Sequence, residues 1–233
     1  MKARLEILEE EVNAELMQMA VAEQSIHHPI TDGVVDADAY LASSPKMLWI
    51  LKEPWENFDE RGGGGWSVTR GLIPKRIREG TVGGILAYRR MAYVTFSVLN
   101  GYGRYAEIRR AHDGFQVGES LKSIAYINVS KFPGKSRSVA AQIQAAYQRN
   151  RAILKRQVTT IAPDVIISGN ILSLFYEDFG LTHGDIKFSG TVDYCYKNGC
   201  LYVNAYHPSY WRCKEETYVN DLTTIIQQYF PKP

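Results

Sequence analysis

Cysteine is scarce in this chain, with three in 233 residues. Cys195, Cys200 and Cys213 are odd in number, show no CxxC spacing and have no histidine at ligand intervals, which argues against a disulfide framework and a zinc site of ordinary spacing. Reduced, partly buried thiols are expected instead. Long apolar runs are also lacking: none approaches the roughly 20 residues of a membrane-spanning helix. The first residues, Met1-Lys2-Ala3-Arg4-Leu5-Glu6, open an acidic amphipathic segment and not the apolar core of a signal peptide. A soluble cytoplasmic protein with no membrane partner is expected. Net charge is small as well, since 27 Lys and Arg against 25 Asp and Glu leave +2. Attraction to a polyanion would therefore rest on local clusters of charge.

The common catalytic signatures are missing too. Gly134-Lys135-Ser136 imitates the end of a phosphate-binding loop, but Val129 stands where the first glycine is required. Gly101-Tyr102-Gly103 lacks the third glycine of a dinucleotide-binding turn. There is no GxSxG elbow and no HExxH pair.

What is present reads as one α/β domain over residues 1–233, a length that suits a single core. Leu5, Leu8, Val12, Leu16 and Met19 recur at intervals of three and four, predicting an amphipathic helix that His27-His28-Pro29 ends. Residues 1–40 are thus expected to form a helical extension. Three continuous apolar runs, at 47–51, 124–129 and 164–169, have the character of strands buried on both faces. Helices are expected from Pro74 to about Asn100, from a Ser138 cap to just before Pro163, from Asn170 to about Phe179, and over about 214–229. Residues 186–196 and 200–206 read as strands joined at Lys197-Asn198-Gly199, because Asn-Gly favours a tight hairpin. The glycines at 62–65 predict a flexible or tightly turned loop, and 101–120 a loop insertion. Alternating strands and helices imply a three-layer α/β/α architecture with a central parallel sheet of about four strands.

Ligands of such sheets bind beyond the C-terminal strand ends. That rule selects residues 52–55, 128–135, 169–170 and 206–209. Glu53 follows the first apolar run and precedes Pro54; His207 follows the last strand and precedes Pro208. Taken singly, each has an ordinary reading as a surface carboxylate or a structural histidine. In matching strand-end positions they make a candidate acid and base pair.

With Asn128 ending the second run, Leu51-Lys52-Glu53-Pro54-Trp55, Trp66-Ser67-Val68, the glycine-ended strand at 163–169 and His207-Pro208-Ser209 follow one another in order. Together they resemble the uracil-DNA glycosylase superfamily over residues 47–211. The resemblance implies that Glu53 and His207 are catalytic, the first stabilising a sugar oxocarbenium and orienting water, the second donating a hydrogen bond to the departing base. It implies a flipped base stacked on Trp66, read by Asn128 and bounded by Trp55. Ser67, Lys131, Lys135 and Ser209 would meet phosphates, and Tyr210 and Trp211 would wedge into the duplex. A monomer acting on DNA without metal or cofactor is expected, because the iron–sulfur branches need four cysteines. The basic cluster at 149–156 is read as a solvated helix face.

The motif departs from the family where Leu51 replaces glycine, where Lys52 replaces an uncharged or acidic neighbour, and where Trp55 replaces the tyrosine that crowds pyrimidine C5. Uracil is the default base. Should Trp55 swing outward, with the glycine run making room, a hydroxymethylated or glucosylated cytosine of phage DNA becomes the alternative. A non-catalytic DNA-binding module and a hydrolase of free nucleosides complete the alternatives.

Overall fold

The computed structural model describes residues 1–108 and 115–232. In chain order the elements are α1 (Lys2–Ala22), β1 (Gly33–Val34), α2 (Ala37–Ala42), β2 (Met47–Leu51), α3 (Ile73–Arg78), α4 (Leu86–Leu99) and α5 (Phe115–Glu119). Then come β3 (Ile124–Asn128), α6 (Ala140–Ile161), β4 (Val165–Gly169), α7 (Tyr176–Phe179), β5 (Lys187–Ser189), β6 (Val192–Lys197), β7 (Cys200–Ala205) and α8 (Glu215–Tyr229). One mixed sheet has the order β1-β3-β2-β4-β7-β6-β5. Its centre, β3-β2-β4-β7, is parallel.

Every residue of β2, β3 and β4 is buried, which explains why these strands read as unbroken apolar runs: helices cover both faces. Successive side chains alternate between two cores. Met47, Trp49 and Leu51 pack with Ile73, Ile77, Met91 and Leu222 on the face of α3, α4 and α8. Leu48 and Ile50 pack with Leu8, Leu16, Ile153 and Leu154 on the face of α1 and α6.

Four of the seven strands are the expected parallel core; the other three lie at its edges. β1 is two residues long, paired antiparallel with β3, and so carries no periodic signal. The expected strand at 186–196 is broken by Gly190 at φ 59° into the antiparallel pair β5 and β6. The Asn-Gly hairpin forms between β6 and β7, with Asn198 and Gly199 both at positive φ.

Five other expectations need correction. Residues 1–40 are no extension: α1 buries Leu5, Leu8, Val12 and Leu16, β1 joins the sheet, and Asp32 lies wholly inside. α1 also stops at Ala22, before His27, where Gln24 turns to φ 53°. The helix expected over 74–100 is interrupted between α3 and α4 by Gly80, Gly83 and Gly84. Within 101–120, residues 115–119 form α5 with Val117 buried, and Tyr105–Glu107 is a 3-10 turn; the part at 109–114 lies outside the described residues. Ser138 caps nothing, since α6 begins after Val139 without a side-chain cap. Its basic face is ion-paired, Arg149 to Glu23, Arg156 to Glu15, and Arg151 and Lys155 to Asp178. Among the described residues no helix is long and apolar enough to cross a membrane.

Candidate active site

Parallel register brings Leu51 beside Asn128 and Gly169 beside Ala205 at one edge of the sheet. Beyond that edge opens a cleft of about 1130 Å³. Glu53 and His207 both line it, with Trp66, Tyr88 and Tyr126 supplying aromatic surface. β4 lies between β2 and β7, so the two chemical groups leave the sheet two strand spacings apart, roughly 10 Å. The backbone thus leaves room for a planar ring.

Glu53 is held by more than a loop. Beyond the strands, Val129, Ser130 and Gly134 donate backbone hydrogen bonds to the carbonyls of Leu51, Lys52 and Pro54 at 2.9, 2.8 and 2.8 Å. Gly134 lies flush against the acid: a Cβ there would come within 2.4 Å of the Glu53 Cγ. The carboxylate itself makes no hydrogen bond or ion pair with any described residue. An anion so placed is available to water or to a cationic transition state.

His207 has a defined tautomer. The backbone N–H of Ser209 donates to Nδ1 at 3.2 Å, so Nδ1 presents a lone pair and the proton of the neutral ring sits on Nε2. The Ser209 hydroxyl, 2.7 Å from Nδ1, then donates to the same nitrogen. Burial lowers the imidazole pKa to about 4, with the charge of Lys52 adding to the effect. At neutral pH the ring is uncharged and carries one N–H donor. Gly169 makes room for it, because a Cβ there would lie 3.1 Å from His207 Cδ2 and 2.8 Å from Leu51 Cδ2.

Trp66 and Trp55 also line the cleft. Trp66 is half-buried against the core, whereas Trp55 is 59% exposed and stands outward at the mouth. Asn128 is on the cleft face of β3 but fully buried beneath Tyr126, whose hydroxyl donates to its Oδ1 at 3.2 Å. Its Nδ2 has no partner among the described residues, and Tyr126, not Asn128, lines the open space. Lys135, Ser209, Tyr210 and Trp211 line the cleft as well, the last 74% exposed.

Two expected phosphate contacts are turned inward. Lys131 is wholly buried with Nζ 2.6 Å from Asp32, and burial lowers its pKa. The Ser67 hydroxyl donates to Glu9 at 2.5 Å and accepts from the Arg70 N–H, capping the π-helical turn Val68–Leu72. Neither is free for a phosphate. The glycine run makes no room in the cleft either: a Cβ on Gly62 or Gly64 would sit 1.9 Å from the carbonyl oxygen of Ile26 or His28. These glycines let two backbones touch.

Arg76, Tyr88, Tyr126 and Arg137 line the cleft without having been singled out from sequence. Tyr126 had a legible signal, since it shares a strand face with Asn128. The others come from elements whose orientation only packing sets. Among the described residues no group of three or more His, Cys, Asp or Glu side chains is arranged to hold a metal ion. Compared with known proteins, the chain matches no family model and no curated sequence.

Proposed function

We propose that the chain is a monofunctional DNA glycosylase of uracil-DNA glycosylase-like fold, hydrolysing the bond between deoxyribose and a pyrimidine base flipped into the cleft. One observation carries the reading: an unpaired carboxylate, Glu53, and a neutral histidine with its Nε2–H free of the loop, His207, line one aromatic cleft at parallel strand ends. In the reaction the C1′–N bond breaks and its electron pair leaves with the base. His207 donates a hydrogen bond to the oxygen on which that charge gathers. Glu53 stabilises the cationic sugar and takes the proton of the water that adds to C1′. The base then picks up a proton from solvent.

Trp66 offers a stacking face for the flipped ring. Lys135, Ser136 and Arg137, all on the cleft wall, offer donors to the phosphates on either side. Exposed Tyr210 and Trp211 suit the space vacated in the duplex.

A second reading concerns the base. The cleft exceeds the roughly 300–1,000 Å³ that encloses drug-sized ligands, and Trp55 stands outward instead of closing it. Both favour a bulky modified pyrimidine, such as hydroxymethylated or glucosylated cytosine, over uracil alone. The test is abasic-site formation by pure protein on DNAs carrying uracil, hypoxanthine, 5-substituted uracils or glucosylated cytosine. No cleavage across that panel sinks the proposal. Glu53→Gln is expected to lower turnover at least 100-fold with DNA affinity changed less than threefold; equal loss of both points to a binding module. Activity on nucleosides without any polymer points to a nucleoside hydrolase.

A further inference from the structure

Of the four cations lining the cleft, Lys52, Arg76, Lys135 and Arg137, none has a counter-ion among the described residues, and Arg76 alone has a side-chain nitrogen enclosed without a partner. Arg76 lies in α3, where Ile73 and Ile77 are buried in the core and Lys75 turns to solvent to pair with Glu79. Between those faces the Arg76 side chain runs along the cleft wall. It forms no ion pair or side-chain hydrogen bond among the described residues, and its Nε is enclosed without a partner. The carboxylates of the cleft do not serve it: Glu53 is unpaired, and Glu56 accepts from the Gly64 N–H at 2.7 Å.

A second donor lies close by. Tyr88, in α4, lines the same wall, is 9% exposed and has no hydrogen-bond partner for its hydroxyl among the described residues. Burial raises its pKa to about 12, against a smaller opposite effect from the Arg76 charge, so the phenol keeps its proton. Leu72, Ile85 and Ala87 complete the wall and supply no acceptor. The enclosed Nε of Arg76 is a desolvated donor left unmet, which costs free energy until an oxyanion arrives, and the Tyr88 phenol beside it offers a second donor.

We propose that Arg76 and Tyr88 form an anion subsite that recognises a negatively charged substituent on the pyrimidine ring, the oxyanion accepting from both. This rests on the glycosylase reading and names its substrate class. A substituent at ring carbon C5 suits it, since that position disturbs neither the pairing edge nor the glycosidic bond. A backbone phosphate fits less well, because Lys135, Ser136 and Arg137 already supply donors to the cleft from another segment.

The test uses the full chain and 5-carboxy-2′-deoxyuridine beside 2′-deoxyuridine, neither of which carries a phosphate, titrated by calorimetry or NMR. The carboxylated nucleoside is expected to bind at least tenfold more tightly to the wild type. Arg76→Gln should abolish that preference, Arg76→Lys should keep part of it, and Tyr88→Phe should weaken it. Equal binding of the two nucleosides to the wild type overturns the proposal. On DNA, Arg76→Gln should slow release of 5-carboxyuracil at least tenfold and of uracil less than threefold. A uniform loss across both DNAs that fades at high salt overturns it in favour of a phosphate contact. If neither DNA is cut, the wider panel of modified DNAs decides the glycosylase reading while the nucleoside titration still decides the subsite.

Discussion

Gly134 shows how one missing side chain can shape the chemistry. Its φ lies outside the left-handed region, so alanine fits the backbone, yet the added Cβ would press on the Glu53 Cγ. Gly134→Ala is therefore expected to reduce the proposed excision at least tenfold while shifting Tm by only a few degrees; unchanged turnover would remove the support assigned to this glycine. His207 makes a second prediction at this scale. Its folded pKa of about 4 lies below the usual 6.5, so between those values the unfolded chain binds a proton that the folded chain refuses. Stability should rise with pH from about 4 to 6.5 through this group and gain nothing from it above. An NMR titration should find the His207 ring proton signal moving near pH 4, and a midpoint near 6.5 would contradict the buried, neutral ring. Glu53 and His207 were legible in sequence because each stands two residues past a strand and directly before a proline. The inward turn of Lys131 was not, since its partner Asp32 lies 99 residues away.

Among the elements, α4 holds the loop that carries the histidine. Arg90, 2% exposed, donates to the carbonyls of Pro208 at 3.2 Å and Tyr210 at 3.0 Å, and also to that of Cys213. Its guanidinium lies 5.0 Å from the centre of the Tyr218 ring, so the cation spans α4, the loop and α8. Arg90→Met would leave those carbonyls short of a donor, at about 1–3 kcal/mol for each that water cannot reach. We expect a lower Tm and at least a tenfold loss of kcat, with Arg90→Lys recovering part. Methionine without effect on the His207 titration or on kcat would show that the loop holds itself. The helix periodicity that exposes Leu5, Leu8, Val12 and Leu16 to a sequence reading says nothing of Arg90, whose partners are carbonyls set by tertiary packing.

For the molecule as a whole, Glu9 ties its two faces together. α1 packs on the side of the sheet away from the cleft, but the buried Glu9 carboxylate accepts from the hydroxyls of Thr31, Ser67 and Thr69 at 2.5, 2.5 and 3.0 Å. Arg70 adds an ion pair at 3.2 Å. The segment so gathered is the one that carries Trp66 and the π-helical turn into the cleft wall. Glu9→Ala is expected to destabilise the fold by ~3 kcal/mol, the cost of several buried hydroxyls losing their acceptor, and to loosen Trp66. Denaturant unfolding followed by tryptophan fluorescence checks both, and a change under 0.5 kcal/mol would refute the coupling.

Local pattern alone determined the parallel strands, the amphipathic first helix, the Asn-Gly hairpin and the strand-end positions of Glu53 and His207. These follow from side-chain period and backbone preference within a few residues. Only the tertiary structure decided that β1 and the β5 and β6 pair extend the sheet, that residues 1–40 belong to its core, and that Trp55 stands outward. It alone brought Arg76 and Tyr88 to the wall of the cleft and took Lys131 and Ser67 away from its mouth. The reason is physical: which way a polar side chain turns depends on the distant partner that satisfies it, and no short window of sequence contains that partner.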